Sequence, residues 1–150
     1  ARGIESFHGA GRRMEFKGTF NGADVYDDYA HHPDELAATI DSVRTSFPGR
    51  RLVLAFQPHT YTRTHALFQD FVAQLKKPDV VVLAEIYAAR ERNTIGISSA
   101  HLAEKIEGAT FCETLPEVTR FLASTVQEGD VVITMGAGDI FRAGESLLEL

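Results

Sequence analysis

Four runs of this 150-residue sequence gather side chains that can carry chemistry. They are Asp27-Asp28-Tyr29-Ala30-His31-His32-Pro33, Gln57-Pro58-His59-Thr60-Tyr61-Thr62-Arg63-Thr64, Glu85-Ile86-Tyr87-Ala88-Ala89-Arg90-Glu91-Arg92 and Gly136-Ala137-Gly138-Asp139. Adjacent carboxylates and imidazoles with His59 nearby are potential ligands for zinc, iron or manganese. No spacing among them matches a known metal motif, so a metal-dependent hydrolase using Asp27, Asp28, His31, His32 and His59 is the lesser reading. Alone, Asp27-Asp28 would merely end a strand and His31-His32-Pro33 would merely cap a helix. Gly136-Ala137-Gly138 has two glycines and no G-x-x-G continuation, which fits a tight strand-to-helix turn better than a dinucleotide fingerprint. Gly138-Asp139 at a helix start would still leave amides for an anion.

The elements around these runs alternate. Phe16 to Phe20 and Ala23 to Asp27 flank Asn21-Gly22, the strongest short hairpin signal, because both turn positions need positive φ. Pro33 opens a helix whose apolar face is Leu36, Ile40, Val43 and Phe47, with Asp34-Glu35 suited to the N-terminal dipole and Pro48-Gly49 ending it. Leu52 to Phe56 and Val80 to Ala84 read as strands buried on both faces. Between them Leu67, Phe71, Val72 and Leu75 form a second helical stripe. Ser98-Ser99 precedes a short helix with Leu102, Ala103 and Ile106, and Ala109 to Cys112 is a weak strand. Thr114-Leu115-Pro116-Glu117 is a capping box ahead of Val118, Phe121, Leu122 and Val126. Asp130 to Met135 is the last strand, and Ile140, Gly144, Leu147 and Leu148 mark a terminal helix. Such alternation predicts a Rossmann-like three-layer α/β/α domain with six strands, mostly parallel, and one antiparallel strand from the N-terminal hairpin. Ligands in open α/β sheets bind beyond the carboxyl ends of the strands. All four runs follow a strand, whereas the opposite ends carry plain turns, so function is assigned to one edge of the sheet.

Bulk properties narrow the class. Hydrophobic residues are 44% and charged residues 24%, which predicts one folded domain of ordinary size. The net charge of −6 argues against chain-wide affinity for nucleic acid or an anionic membrane. No apolar run approaches the ~20 residues that span a bilayer, and the start lacks a signal peptide's apolar stretch. The single Cys112 excludes an internal disulfide and fits a reducing cytoplasm. Phe7, Phe68, Phe71 and Phe121 are assigned to the core, and His8, His65 and His101 to structural or solvated positions. Charge alone makes Arg12-Arg13 a solvated pair.

Together and in order, Phe7-His8-Gly9-Ala10-Gly11-Arg12-Arg13-Met14-Glu15, Asp27 to Pro33, Phe56 to Thr64 and Gly136 to Ile140 resemble the C-terminal domain of UDP-N-acetylmuramate–L-alanine ligases, in the Mur ligase family. The resemblance covers essentially the whole chain. A related recycling ligase shares the Asp-Asp-aromatic-Ala-His-His-Pro type of turn, but Phe56-Gln57-Pro58-His59 looks more like the alanine-adding enzymes. The resemblance implies a cytoplasmic, ATP-dependent amide synthetase of peptidoglycan synthesis. In that family ATP phosphorylates the muramate carboxylate, the amine of L-alanine attacks the acyl phosphate, and phosphate leaves. Full-length members add an N-terminal domain for the UDP-sugar and a central ATPase domain with a P-loop and most magnesium (Mg2+) ligands. This sequence has no Gly-x-x-Gly-Lys-[Thr/Ser], so residues 1–150 are expected to be one domain of a three-domain enzyme and negligibly active alone.

Site residues follow from the same resemblance. Arg13 resembles the arginine that reaches the ATP phosphates, and Asp28 the acid that accepts from ribose hydroxyls. Tyr29 and His31 look like residues facing nucleotide or substrate. His59 and Arg63 look like the pair beside the incoming amino acid, Arg63 being suited to grip its carboxylate bidentately. Thr60 stands where some members have arginine, which places more of that task on Arg63. Arg90 lies in the loop that helps sister ligases select the amino acid. The amine must be neutral to attack, and either His31 or His59 could be the base.

Overall fold

The computed structural model describes residues 13–150; Phe7, His8 and Arg12, with the start of the first motif, lie outside the described residues. The order is β1 (Glu15–Phe20), β2 (Ala23–Asp28), α1 (Pro33–Ser46), β3 (Leu52–Phe56), α2 (Tyr61–Ala66), α3 (Phe68–Leu75), β4 (Val80–Ala84), α4 (Ser99–Glu104), β5 (Thr110–Cys112), α5 (Leu115–Thr125), β6 (Val131–Met135) and α6 (Phe141–Leu148). The six strands form one sheet in the order β1-β2-β6-β3-β4-β5. Only the β1–β2 pair is antiparallel. Its turn uses Asn21 at φ 52° and Gly22 at φ 80°, the two positive values an Asn-Gly hairpin requires.

Strand alternation divides the core into two layers. Leu52, Leu54 and Phe56 of β3 point to the face covered by α1, α3 and α4, whereas Val53 and Ala55 point to the face covered by α5 and α6. On α1, Leu36, Ile40 and Val43 recur at helical spacing and are buried. Each such side chain stabilises the fold by about 1.5–3 kcal/mol through water exclusion.

Register lines up the functional loops. Met135 of β6 pairs with Asp28 of β2 on one side and Phe56 of β3 on the other, so three strands end level. The opposite edge is stapled by arginines. Arg51 donates through Nε and Nη2 to Asp130 at 3.0 and 2.8 Å, and Arg50 reaches Asp24 and two backbone carbonyls.

One element departs from the sequence reading. The apolar pattern marks no helix before the Leu67 stripe, yet Tyr61–Ala66 is helical. Its β-branched Thr62 and Thr64 disfavour helix locally. Thr60, at φ 70°, accepts from the Arg63 amide, and the distant Glu91 carboxylate accepts from the Tyr61 and Thr62 amides. A side chain about thirty residues along the chain supplies the helix cap.

Candidate functional site

The turn after β2 is held from below. Asp28 is only 1% exposed; its Oδ1 accepts from the Ala30 amide at 2.8 Å and its Oδ2 from the Thr39 hydroxyl at 3.1 Å. Burial pushes its carboxyl above the usual range, against the opposing pull of those donors and of Arg13. The acid expected to face a ribose therefore sits in the floor of the site. Asp27 is buried too, with Oδ1 accepting from Thr134.

Above that floor the chain enters α1. His32 is the N-cap, its Nδ1 accepting from the Asp34 amide at 3.2 Å, so the helix-cap reading and the site reading coexist. Glu35 Oε1 accepts from the amides of His31 and His32 at 3.0 and 3.1 Å. Burial raises its carboxyl, but those amides and the charges of His31 and Arg13 outweigh burial and hold it below the usual range. His31 is thereby fixed, with Nδ1 3.1 Å from the Tyr29 carbonyl.

The β3 and β4 loops close the other side. His59 and Tyr87 form an isolated parallel bridge, with Thr60 N–H donating to Tyr87 O at 2.8 Å and Tyr87 N–H to Pro58 O at 2.9 Å. Their rings stack at 5.6 Å with 19° between planes. His31 lies 5.9 Å from His59, and Tyr29 5.5 Å from His31, edge-on. Four rings thus form one row along the carboxyl edge. Arg63, on the first turns of α2, places Nη1 3.4 Å from His59 Nδ1. Burial, His31 and Arg63 push the His59 imidazole below its ordinary value, with Glu91 pulling the other way.

The structure brings His31, His59 and Arg63 together with Tyr29 at the mouth. Arg13 is exposed on the α1 side, lining a shallow cavity with Ala38, Thr39 and Ser42. Arg90 is exposed on the β4 loop; its neighbour Glu91 is the residue that reaches α2. Gly138 is explained by close approach, since a Cβ there would lie 2.5 Å from Tyr87 Cγ and 2.6 Å from Gln57 Oε1. The tight-turn reading of Gly136-Ala137-Gly138 holds, and Gln57 Nε2 donates to Asp139 at 2.9 Å across it. Cys112 is buried, and burial pushes its thiol up, as expected of an inert strand-end residue.

Sequence reasoning gave no individual role to Tyr87 or Glu91, read Gly138 as part of a tight turn without its close approach to Tyr87, and saw Glu35 only as a dipole partner. The capping spacing from His32 to Glu35 could have revealed the last; nothing local marks the others. Among the described residues, no three His, Cys, Asp or Glu side chains are grouped to hold a metal ion, because Asp27 and Asp28 turn inward. The hydrolase reading has no geometry behind it. No helix among the described residues is long and apolar enough to cross a membrane.

A family model, Mur ligase, glutamate ligase domain, matches residues 12–138. The chain belongs to this family. The Mur ligase domain here is 50% identical over 98% of its length to a UDP-N-acetylmuramate–L-alanine ligase of Lachnospira eligens, and 49% identical over 98% to one of Agathobacter rectalis. It spans 33% of each of these relatives, about a third of their length. Among solved structures, the UDP-N-acetylmuramate–alanine ligase MurC of Thermotoga maritima superposes with TM-score 0.76 and 27% identity, covering 99% of this chain and 31% of that one. A murein peptide ligase of Psychrobacter arcticus, at 22% identity and TM-score 0.76 over 99% of this chain and 31% of its own, shows the same fold. The α/β architecture read from the sequence is that of the Mur ligase C-terminal domain.

Proposed function

We propose that this chain is the C-terminal domain of an ATP-dependent UDP-N-acetylmuramate–L-alanine ligase, which makes an amide bond through an acyl phosphate in peptidoglycan precursor synthesis. The observation that carries this reading is the convergence of His31, His59 and Arg63 at the level carboxyl ends of β2, β3 and β6. That edge is half a site: exposed Tyr29 and Tyr87 flank it, open to whatever faces them. The enzyme's own N-terminal and central domains would supply the UDP-sugar, the P-loop and the magnesium ligands. Among the described residues no three His, Cys, Asp or Glu side chains gather to hold a metal ion.

Within this division of labour, exposed Arg13 offsets charge on the ATP phosphates. Tyr29 faces the nucleotide, while Asp28 is buried at the floor of that end, so a ribose hydroxyl would need an opening there to reach the lone pairs its carboxylate does not use on Ala30 and Thr39. Arg63 takes the carboxylate of L-alanine, with His59 beside it and Arg90 at the rim where selection of the amino acid is decided. Closure of the domains would exclude water from the acyl phosphate. The working compartment is the cytoplasm, where ATP and the UDP-sugar reside.

The test is Arg63→Ala in the full-length ligase carrying this sequence, assayed for ADP release at varied L-alanine. We expect KM for L-alanine to rise by about 10–100-fold, the loss of a charge-assisted pair of roughly 1.5–3 kcal/mol, with KM for ATP unchanged. An unchanged KM for L-alanine overturns the assignment.

A further inference from the structure

The two histidines of the site have opposite hydrogen-bonding roles. A carbonyl oxygen only accepts, so His31 Nδ1, 3.1 Å from Tyr29 O, carries the proton of the neutral ring. Its Nε2 is then a lone pair. A guanidinium only donates, so His59 Nδ1, 3.4 Å from Arg63 Nη1, is the lone pair of that ring, and its proton sits on Nε2. His31 thus offers an acceptor and His59 a donor, on rings 5.9 Å apart. Glu35 fastens the first of them. Its Oε1 accepts from the His31 and His32 amides and lies 3.6 Å from His31 Nδ1, the side that an imidazolium would present.

We propose that His31, through Nε2, is the base that takes a proton from the incoming amino group, with Glu35 as its positioning residue and His59 as a hydrogen-bond donor. This rests on the ligase reading above. In the step, an N–H bond of the ammonium breaks and its proton passes to His31 Nε2. The freed nitrogen pair bonds to the acyl carbon, the carbon–oxygen bond to phosphate breaks, and phosphate leaves with that electron pair. The second proton lost by the nitrogen goes to the departing phosphate. The proton on His59 Nε2 is available to donate to an acyl phosphate oxygen. Glu35 on α1 lies beneath the developing imidazolium, and the Tyr29 carbonyl stays bonded to it. The other charged groups around the pair are Arg13 beside Glu35, Arg63 on α2 and Glu91 on the β4 loop.

The experiment compares L-alanine with hydroxylamine as nucleophile in the full-length ligase carrying this sequence. Hydroxylamine is largely neutral at assay pH and traps acyl phosphates without a base. We expect His31→Gln to lower kcat with L-alanine by about 10²–10⁴-fold, the usual contribution of a general base, while ATP-dependent hydroxamate formation stays within a few-fold of wild type. Glu35→Ala should show the same selective loss to a smaller degree, and Glu35→Gln, which keeps an acceptor for the two amides, should recover part of it. Equal loss with both nucleophiles overturns the proposal, because His31 would then serve phosphoryl transfer or structure. Absence of hydroxamate with the wild-type enzyme overturns the ligase reading itself, and the proposal with it. Imidazole ¹⁵N shifts in this chain give a readout independent of activity. They should show Nδ1–H on His31 and Nε2–H on His59, and the reverse pattern also defeats the proposal.

Discussion

Replacing Gly138 by alanine tests how tightly the site is built. The new methyl carbon would lie 2.5 Å from Tyr87 Cγ and 2.6 Å from Gln57 Oε1, where nonbonded carbons rest at about 3.5–4.0 Å. Both neighbours must retreat by roughly 1 Å. Neither retreats freely. Tyr87 is held by two backbone hydrogen bonds and stacks on His59, while Gln57 is buried and bonded to Asp139. Gly138 does not have a left-handed φ, so the effect is steric rather than conformational. Overpacking of this kind costs about 1–3 kcal/mol, which in a chain of this size lowers Tm by about 2–12 °C. Thermal unfolding followed by circular dichroism measures it. Tyr87→Ala should relieve the clash, so the double variant should be more stable than the summed single effects by at least about 0.5 kcal/mol. Unchanged Tm in Gly138→Ala, or strict additivity in the cycle, refutes the account of this glycine.

Asp130→Ala should destabilise the fold by about 1–3 kcal/mol in urea unfolding, since it strands the Arg51 guanidinium and the Gln127 amide that the nearly buried carboxylate now serves. Retained stability would show that the arginine staple is ornamental. His59 gives a pH test whose sign follows from its lowered pKa: the folded chain binds that proton more weakly than the unfolded chain. Its contribution is intact above the ordinary imidazole value of about 6.5 and is lost as pH falls from there through the folded value. His59→Gln should therefore show a shallower loss of stability between about pH 7 and pH 5 than wild type, and a steeper one contradicts the assignment.

The elements that local physics controls were legible in the sequence. The Asn21-Gly22 hairpin, the Pro33 and Thr114 helix starts, the doubly buried β3 and β4, and the last strand β6 rest on turn chemistry, capping and periodicity within a few residues. So did the rule that chemistry gathers at the carboxyl ends of parallel strands, which placed His31, His59 and Arg63 on one edge before any contact was known. The family followed from those clusters in order.

Only the tertiary structure decided how that edge works. The α2 helix that carries Arg63 depends on Glu91, Gly138 depends on Tyr87 and Gln57, and the row of four rings depends on three strands ending level. It also set Asp28 in the floor, buried, with its carboxylate accepting from the Ala30 amide and the Thr39 hydroxyl. These are contacts between segments far apart in the chain, and residue type carries no record of the partner until the sheet aligns them. The sequence by itself determined which strand ends carry the polar clusters; the packing of β2, β3, β4 and β6 determined which of their atoms are left to donate and which to accept.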